Sequence, residues 1–107
     1  MSELSTDIAI LGSGMVGMAL AYQLTERYPE LSITVIDKEP EIGRHSSGRN
    51  SGVLHAGIYY PPGTLKAKVC VQGARRLRAW CEAEGLPVLA CGKVIVPQSA
   101  ELDGQLE

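Results

Sequence analysis

Three features that would point directly to a function are missing from this sequence or weak in it. Ten Lys and Arg residues against twelve Asp and Glu residues give a net charge of −2, so no basic excess indicates nucleic-acid binding. The cysteines number three, at positions 70, 81 and 91, and their spacing fits neither a zinc site nor an evident disulfide. We therefore expect reduced thiols, a cytoplasmic protein and no metal.

A long uninterrupted apolar run is also missing. The most apolar segment, Ile8 to Ala21, contains three glycines, and the residues before it, MSELSTD, are acidic and include no Lys or Arg. A secretory signal begins with a positively charged region, and a membrane-spanning helix needs about 20 apolar residues. The sequence predicts neither.

What is present is the strand, turn, helix, strand pattern of an α/β protein. Thr6 to Leu11 is an apolar run typical of a buried parallel strand. Met15 to about Tyr28 predicts a helix that Pro29 stops, and Ser32 to Asp37 predicts a second strand. Together they indicate a βαβ unit. The inner face of the helix is expected to comprise Met15, Met18, Ala19, Tyr22 and Leu24.

The second half predicts a long helix and short strands. Thr64 is a good N-cap residue, and Gly85 closes a helix from Leu65 to about Glu84. Its inner face is expected to comprise Leu65, Val69, Gly73, Leu77 and Trp80. Short strands are expected at Val88 to Ala90 and Gly92 to Val96, and a last helix after Ser99. Because two parallel strands do not make a sheet covered on both faces, we expect an incomplete domain from a longer protein.

The turn between the first strand and the helix has the spacing of a dinucleotide-binding fingerprint. Gly12 permits the tight turn, Gly14 lets the backbone approach a pyrophosphate, and Gly17 allows helix and strand to pack closely. The helix N-terminus offers free N–H donors to the phosphates. Asp37, at the end of the second strand, would accept hydrogen bonds from a ribose diol and repel a 2′-phosphate. A structural turn with a solvated acid is the alternative, and the pattern fits a nicotinamide or a flavin dinucleotide equally.

The stretch RHSSGRNSGVLHAGIYYPP, residues 44–62, has neither the period of a helix nor the alternation of a strand. Its glycines and serines let backbone N–H groups approach a ligand closely, and Arg49 and Asn50 add donors for phosphate or ring carbonyl oxygens. This composition suits a loop laid along an extended cofactor. A solvated surface loop is the alternative.

These residues resemble a known family. GSGMVG at 12–17 and VIDKE at 35–39 are similar to the FAD-binding start of the D-amino-acid-oxidase-like flavoproteins. Within that superfamily, SSGRNSGVLHAGIYYPPGTLKAKVCVQGARRL at 46–77 closely resembles the L-2-hydroxyglutarate oxidases and dehydrogenases, and CGKVIV at 91–96 fits too. The match extends over nearly the whole chain.

The resemblance implies an FAD-dependent oxidoreductase with a Rossmann-like FAD-binding domain. Such an enzyme oxidises a 2-hydroxy acid, L-2-hydroxyglutarate, to 2-oxoglutarate and passes electrons to oxygen or a membrane quinone pool. We expect a cytoplasmic location. Peripheral attachment at the inner membrane is the alternative. Residues 1–107 would be the N-terminal part of the FAD-binding domain, without the substrate domain or the C-terminal FAD segment, so we expect this fragment alone to be inactive.

Carried over by position, the resemblance implies a set of cofactor contacts. Gly12, Gly14 and Gly17 would line the pyrophosphate. Asp37 would hold the adenosine ribose, where relatives commonly have Glu, and Lys38 would lie near the adenine. Contacts from the pyrophosphate toward the flavin would come from Ser46, Ser47, Arg49, Asn50 and Ser51. His55, Gly57 and Tyr59 would lie near the isoalloxazine ring.

His55 is the candidate catalytic residue. Near a flavin its imidazole could orient the substrate, accept the hydroxyl proton or stabilise negative charge on the reduced ring; a histidine hydrogen-bonded for packing is the alternative. His45 is interpreted as a surface residue. A solvated helix face is expected to carry Lys66, Lys68, Arg75, Arg76 and Arg78.

Other functions share the features described so far. An FAD-dependent glycerol-3-phosphate dehydrogenase and an amino-acid oxidase have the same FAD-binding half. A nicotinamide-dependent dehydrogenase uses the same glycine fingerprint. A truncated dinucleotide-binding fragment without catalysis is the last alternative.

Overall fold

A computed structural model describes residues 5–101. Along the chain it contains strand β1 (Ile8–Leu11), helix α1 (Met15–Arg27), strand β2 (Ile33–Ile36), a 3₁₀ turn (Ser46–Gly48) and helix α2 (Leu65–Ala83). The chain divides between Val53 and Leu54 into two compact units. Within residues 5–101, neither helix combines the length and the apolar character needed to cross a membrane.

The first unit is built on the predicted βαβ arrangement. Strands β1 and β2 pair in parallel, with Ile8 opposite Ile33 and Leu11 opposite Ile36. The ladder continues one step further, because the N–H of Gly12 donates to the carbonyl of Ile36 at 2.8 Å. The α/β fold class is confirmed. Strand β1 begins two residues later than the sequence predicts, and strand β2 is one residue shorter at each end.

The predicted inner face of α1 is correct at Leu24 and wrong at its other residues. Its less exposed residues are Gly17, Ala21 and Leu24, whereas Met15 and Tyr22 are 59% and 43% exposed. Nearly every side of this helix is apolar, so periodicity does not select a face. Close packing selects the side with the smallest residues, and it covers Ile10, the one hydrophobic side chain buried among the described residues.

Helix α2 begins and ends as the sequence predicts. At its start the hydroxyl oxygen of Thr64 accepts a hydrogen bond from the Ala67 N–H at 3.2 Å. At its end Gly85 adopts a φ of +67°, and the Leu86 and Gly85 N–H groups donate to the carbonyls of Cys81 (2.8 Å) and Glu82 (3.3 Å). These two bonds are the Schellman closure that a glycine at this position permits.

Two further predictions for the second unit are wrong. The less exposed side of α2 comprises Ala67, Cys70, Val71, Ala74 and Cys81, whereas Leu65 is 77% exposed. The segments Val88 to Ala90 and Gly92 to Val96 are not strands. A strand needs a neighbouring ladder, and within the described residues none pairs with these segments. The helix predicted after Ser99 lies, beyond Glu101, outside the described residues.

The cap on α2 gives a stability prediction. Thr64→Ala should lower the free energy of unfolding by about 1 kcal/mol, because the Ala67 N–H loses its acceptor. Thr64→Ser, which keeps the hydroxyl, is the matched control and should unfold close to the wild type. Urea unfolding of the FAD-loaded protein, followed by circular dichroism, measures the difference. Equal stability of the alanine and serine variants would contradict the capping role.

Candidate dinucleotide-binding site

Each glycine of the turn after β1 meets a different steric requirement. Gly12 has a φ of +107°, a conformation that residues with a side chain rarely adopt. Gly14 is the N-cap of α1, and a Cβ there would lie 3.1 Å from the Ser47 hydroxyl oxygen. A Cβ at Gly17 would collide with the carbonyl oxygen of Gly12. The turn therefore keeps its shape only while these positions lack side chains.

Asp37 is held beside this turn by three hydrogen bonds. Its Oδ2 accepts from the backbone N–H of Ser13 at 2.6 Å and from the Ser13 hydroxyl at 2.8 Å. Its Oδ1 accepts from the N–H of Glu39 at 2.9 Å. The strand register makes these contacts possible, because Leu11 and Ile36 are partners and the next residues leave the sheet side by side.

The hydrogen bonds keep Asp37 ionised. The Ser13 backbone bond first, then the Glu39 and Ser13 hydroxyl bonds, lower the pKa of Asp37 from 3.8 to about 2. His45 adds a smaller attraction, and burial opposes the shift. Because the pKa is lowered in the folded state, these bonds stabilise the fold above about pH 4, and that contribution is lost as the pH falls through about 2.

The carboxylate retains capacity for a ligand. Each carboxylate oxygen can accept about two hydrogen bonds. Among the described residues, Oδ2 has two donors, both from Ser13, whereas Oδ1 has one, the Glu39 N–H. One ribose hydroxyl can therefore bind Oδ1 directly, and a second at Oδ2 must displace the rotatable Ser13 hydroxyl. The sequence did not single out Ser13, since the middle residue of a Gly-x-Gly turn carries no signal of its own.

An open cleft lies at the carboxyl ends of the two strands, where ligands of parallel sheets bind. Its lining comprises Leu11, Gly12, Ile36, Asp37, Lys38 and His45. Lys38 lies on the cleft beside Asp37, and its place near the adenine stays a prediction. His45 is exposed, as interpreted, but it also lines the cleft, and its Nε2 lies 2.9 Å from a carboxylate oxygen of Glu39. Its place on the cleft was missed, since no sequence pattern marks it.

The loop after β2 is tied to the glycine turn. The N–H of Gly43 donates to the Ser13 carbonyl at 3.1 Å. The hydroxyl oxygen of Ser47 accepts from the Met15 N–H at 2.8 Å, so this side chain satisfies the first donor of α1. A phosphate at this helix end would meet Ser47 as well as the backbone.

The other predicted loop residues divide into two groups. Asn50 shapes the loop itself: its amide donates to the Ser47 carbonyl at 2.8 Å and its oxygen accepts from the Gly52 N–H at 2.8 Å. The Ser51 hydroxyl oxygen accepts from the Val53 N–H at 3.3 Å. Ser46 and Arg49 are exposed. Asn50 and Ser51 are exposed too, but within the described residues only their side chains, and not those of Ser46 and Arg49, make hydrogen bonds in the loop.

His55 belongs to the second unit, where helix α2 holds its backbone. The carbonyl of His55 accepts from the Cys70 thiol at a sulfur–oxygen distance of 3.6 Å. Gly57 is buried with a φ of +84°, and a Cβ there would lie 3.1 Å from Val71. The imidazole itself is exposed and meets the Tyr59 ring edge to face, with 6.4 Å between centroids. The backbone is fixed while the imidazole stays accessible.

The parallel βαβ unit, the glycine turn and the acid at the end of β2 define a dinucleotide-binding α/β protein. The chain belongs to the FAD-dependent oxidoreductase family: the family model described as FAD dependent oxidoreductase matches residues 7–107. The predicted family and its cofactor are thereby confirmed, and the nicotinamide alternative is set aside.

The chain is similar to L-2-hydroxyglutarate dehydrogenases from several organisms. The chain is 50% identical to the mitochondrial L-2-hydroxyglutarate dehydrogenase of Homo sapiens, over 94% of this chain and 22% of that protein. It is 51% identical to the mitochondrial enzyme of that name from Nematostella vectensis, over 84% and 20%. It is 44% identical to the L-2-hydroxyglutarate dehydrogenase of Escherichia coli (strain K12), over 87% and 22%. The chain thus spans about a fifth of the length of these relatives.

The described residues fit the family's cofactor. The three glycines add no side chain of their own between the backbone and a pyrophosphate, and the first turn of α1 supplies backbone N–H donors at that end. Asp37 is ionised and has a free acceptor position on Oδ1. These are the donors and the acceptor that the diphosphate and the ribose of FAD require.

Proposed function

We propose that this chain forms the dinucleotide-binding part of an FAD-dependent enzyme that oxidises L-2-hydroxyglutarate to 2-oxoglutarate. The observation that carries the proposal is the identity of about half of all aligned residues with L-2-hydroxyglutarate dehydrogenases over most of the chain. The intact glycine turn and the ionised Asp37 support it. Assignment of residues 1–107 as the N-terminal part of the FAD-binding domain stays a prediction.

In this proposal the residues have separate tasks. Bound FAD supplies the acceptor for the hydrogen and two electrons that leave the carbinol carbon of the substrate. Gly12, Gly14 and Gly17 let the backbone bind the pyrophosphate, and Asp37 binds the adenosine ribose beside Lys38. Further contacts along the cofactor come from Ser46, Ser47, Arg49, Asn50 and Ser51. The His55 imidazole would accept the hydroxyl proton, and oxygen or a membrane quinone would be the final electron acceptor.

Anaerobic reduction of the bound flavin tests the proposed reaction. L-2-hydroxyglutarate should bleach the flavin absorbance of the purified intact enzyme that contains this chain, whereas the D enantiomer should not. Glycerol 3-phosphate and L- and D-amino acids serve as competing substrates, since the same FAD-binding half occurs in enzymes that oxidise them. A flavin that these compounds bleach, and L-2-hydroxyglutarate does not, would refute the proposal.

The ribose assignment predicts that Asp37→Asn weakens FAD binding about tenfold or more, the usual effect of losing a charged hydrogen bond. Asp7→Asn is a closely matched control. Asp7 accepts from the Ser32 N–H and hydroxyl at 2.8 Å each, and it precedes β1 instead of following β2. Titration of apoprotein with FAD should show near wild-type affinity for Asp7→Asn. Equal losses in the two variants would show that Asp37 acts only by stabilising the sheet.

A further inference from the structure

Two adjacent tyrosines in the second unit each lie under a lysine ammonium. The Lys93 nitrogen is 4.2 Å from the centroid of the Tyr59 ring, and the Lys66 nitrogen is 4.5 Å from that of Tyr60. The two pairs differ in one respect. The Tyr59 ring also meets His55, at 6.4 Å between centroids, so Lys93, Tyr59 and His55 form a cluster.

The ammonium of Lys93 carries an uncompensated charge within this cluster. Within residues 5–101, no carboxylate lies within 4.0 Å of it, in contrast to Arg44, His45 and Arg78, which are paired with Glu41, Glu39 and Glu82. A ring face attracts a cation but replaces none of the acceptors that its three N–H groups need. The cluster is exposed, so a small anion can reach these donors.

The chemistry of the cluster suits a carboxylate beside a hydroxyl. The ammonium is a point charge with several donors, which matches a carboxylate, and the ring face of Tyr59 restricts where the ammonium can lie. The neighbouring imidazole can accept a proton from a hydroxyl group. A 2-hydroxy acid carries both groups on adjacent carbons.

We propose that Lys93 is a substrate-binding residue that holds a carboxylate of the 2-hydroxy acid beside His55, with Tyr59 as the positioning residue. This inference rests on the proposed function. It extends that function by assigning the residue that recognises the negative charge of the organic acid. Lys66 lies on the Tyr60 ring, but among residues 5–101 no ring contact joins Tyr60 to His55, and we therefore assign Lys66 no part in substrate binding.

Binding of glutarate to the FAD-loaded protein tests the inference without relying on turnover. Glutarate has the carbon frame and both carboxylates of 2-hydroxyglutarate but no hydroxyl to oxidise. Isothermal titration should show that Lys93→Met weakens glutarate binding by about tenfold to a hundredfold, the range for a lost charged hydrogen bond. Lys93→Arg should restore most of the affinity, and Lys66→Met, which removes the same charge from the other ring, should match the wild type.

The outcomes separate this inference from the proposed function. If L-2-hydroxyglutarate bleaches the wild-type flavin but Lys93→Met binds glutarate as tightly as Lys66→Met does, the inference is wrong and the function stands. If the flavin is not bleached but glutarate binding depends on Lys93, the carboxylate site stands and the reaction is wrong. A wild-type protein that does not bind glutarate overturns the inference.

Discussion

Gly17→Ala should nearly abolish FAD binding. The added Cβ would collide with the carbonyl oxygen of Gly12, and that carbonyl cannot retreat freely, because the N–H of the same residue is bonded to Ile36. Overpacking of this kind costs about 3 kcal/mol or more where backbone has to move, which corresponds to roughly a hundredfold loss of affinity. The ratio of flavin to protein absorbance after purification, followed by FAD titration of the apoprotein, measures the loss.

Gly73→Ala is the matched control, because Gly73 also lies inside a helix and a Cβ there would meet nothing within 4 Å. Alanine in a helix interior is favoured over glycine by about 0.5–1 kcal/mol, so this variant should bind FAD normally and be slightly more stable. A Gly17→Ala protein that purifies with a full complement of flavin would disprove the close approach of helix and turn.

In the intact enzyme, His55→Ala should slow reduction of the flavin by L-2-hydroxyglutarate about 10²–10⁴-fold, the usual contribution of a general base. The glycine turn and Asp37 belong to the other unit and are unchanged, so most of the FAD should stay bound. Anaerobic single-turnover bleaching measures the rate, with flavin content determined by absorbance. The proposed reaction has to be observed in the wild type first.

His55→Gln distinguishes the roles open to this residue. Glutamine can donate and accept hydrogen bonds but does not take up a proton at neutral pH. If His55 is the proton acceptor, the glutamine variant should be as slow as the alanine variant; if it only orients the substrate, glutamine should recover much of the rate. A loss below tenfold in both variants would indicate packing, and loss of FAD would make His55 a cofactor ligand.

The elements predicted correctly from the sequence have local signals. Pro29 follows the end of α1, Thr64 begins α2 through its own hydroxyl, and Gly85 ends it in a conformation suited to glycine. The glycine turn was predictable for the same reason, since its spacing alone sets the backbone geometry. Such features depend on a few consecutive residues, so their local geometry does not depend on contacts with distant parts of the chain.

The features that sequence reasoning missed depend on residues far apart in the chain. Ser13 binds Asp37 across 24 positions, and Lys93 lies on the ring of Tyr59 across 34. No spacing rule connects such pairs. The prediction of the α1 inner face was wrong at most residues for a related reason. An apolar helix can pack on several sides, and the close backbone contact at Gly17 selects the side that packs here.

The parallel pairing of Leu11 with Ile36 determines where this chain tolerates a change of length. Each strand residue advances the chain by about 3.3 Å and reverses the direction of its side chain. One residue inserted within Ile33–Ile36 would therefore shift Asp37 past Ser13 and turn its carboxylate to the opposite face of the sheet. The same insertion between Tyr28 and Leu31, in the turn before β2, would be absorbed there. Deletions and insertions should accordingly be tolerated in that turn and excluded from the two strands, whatever residues they contain.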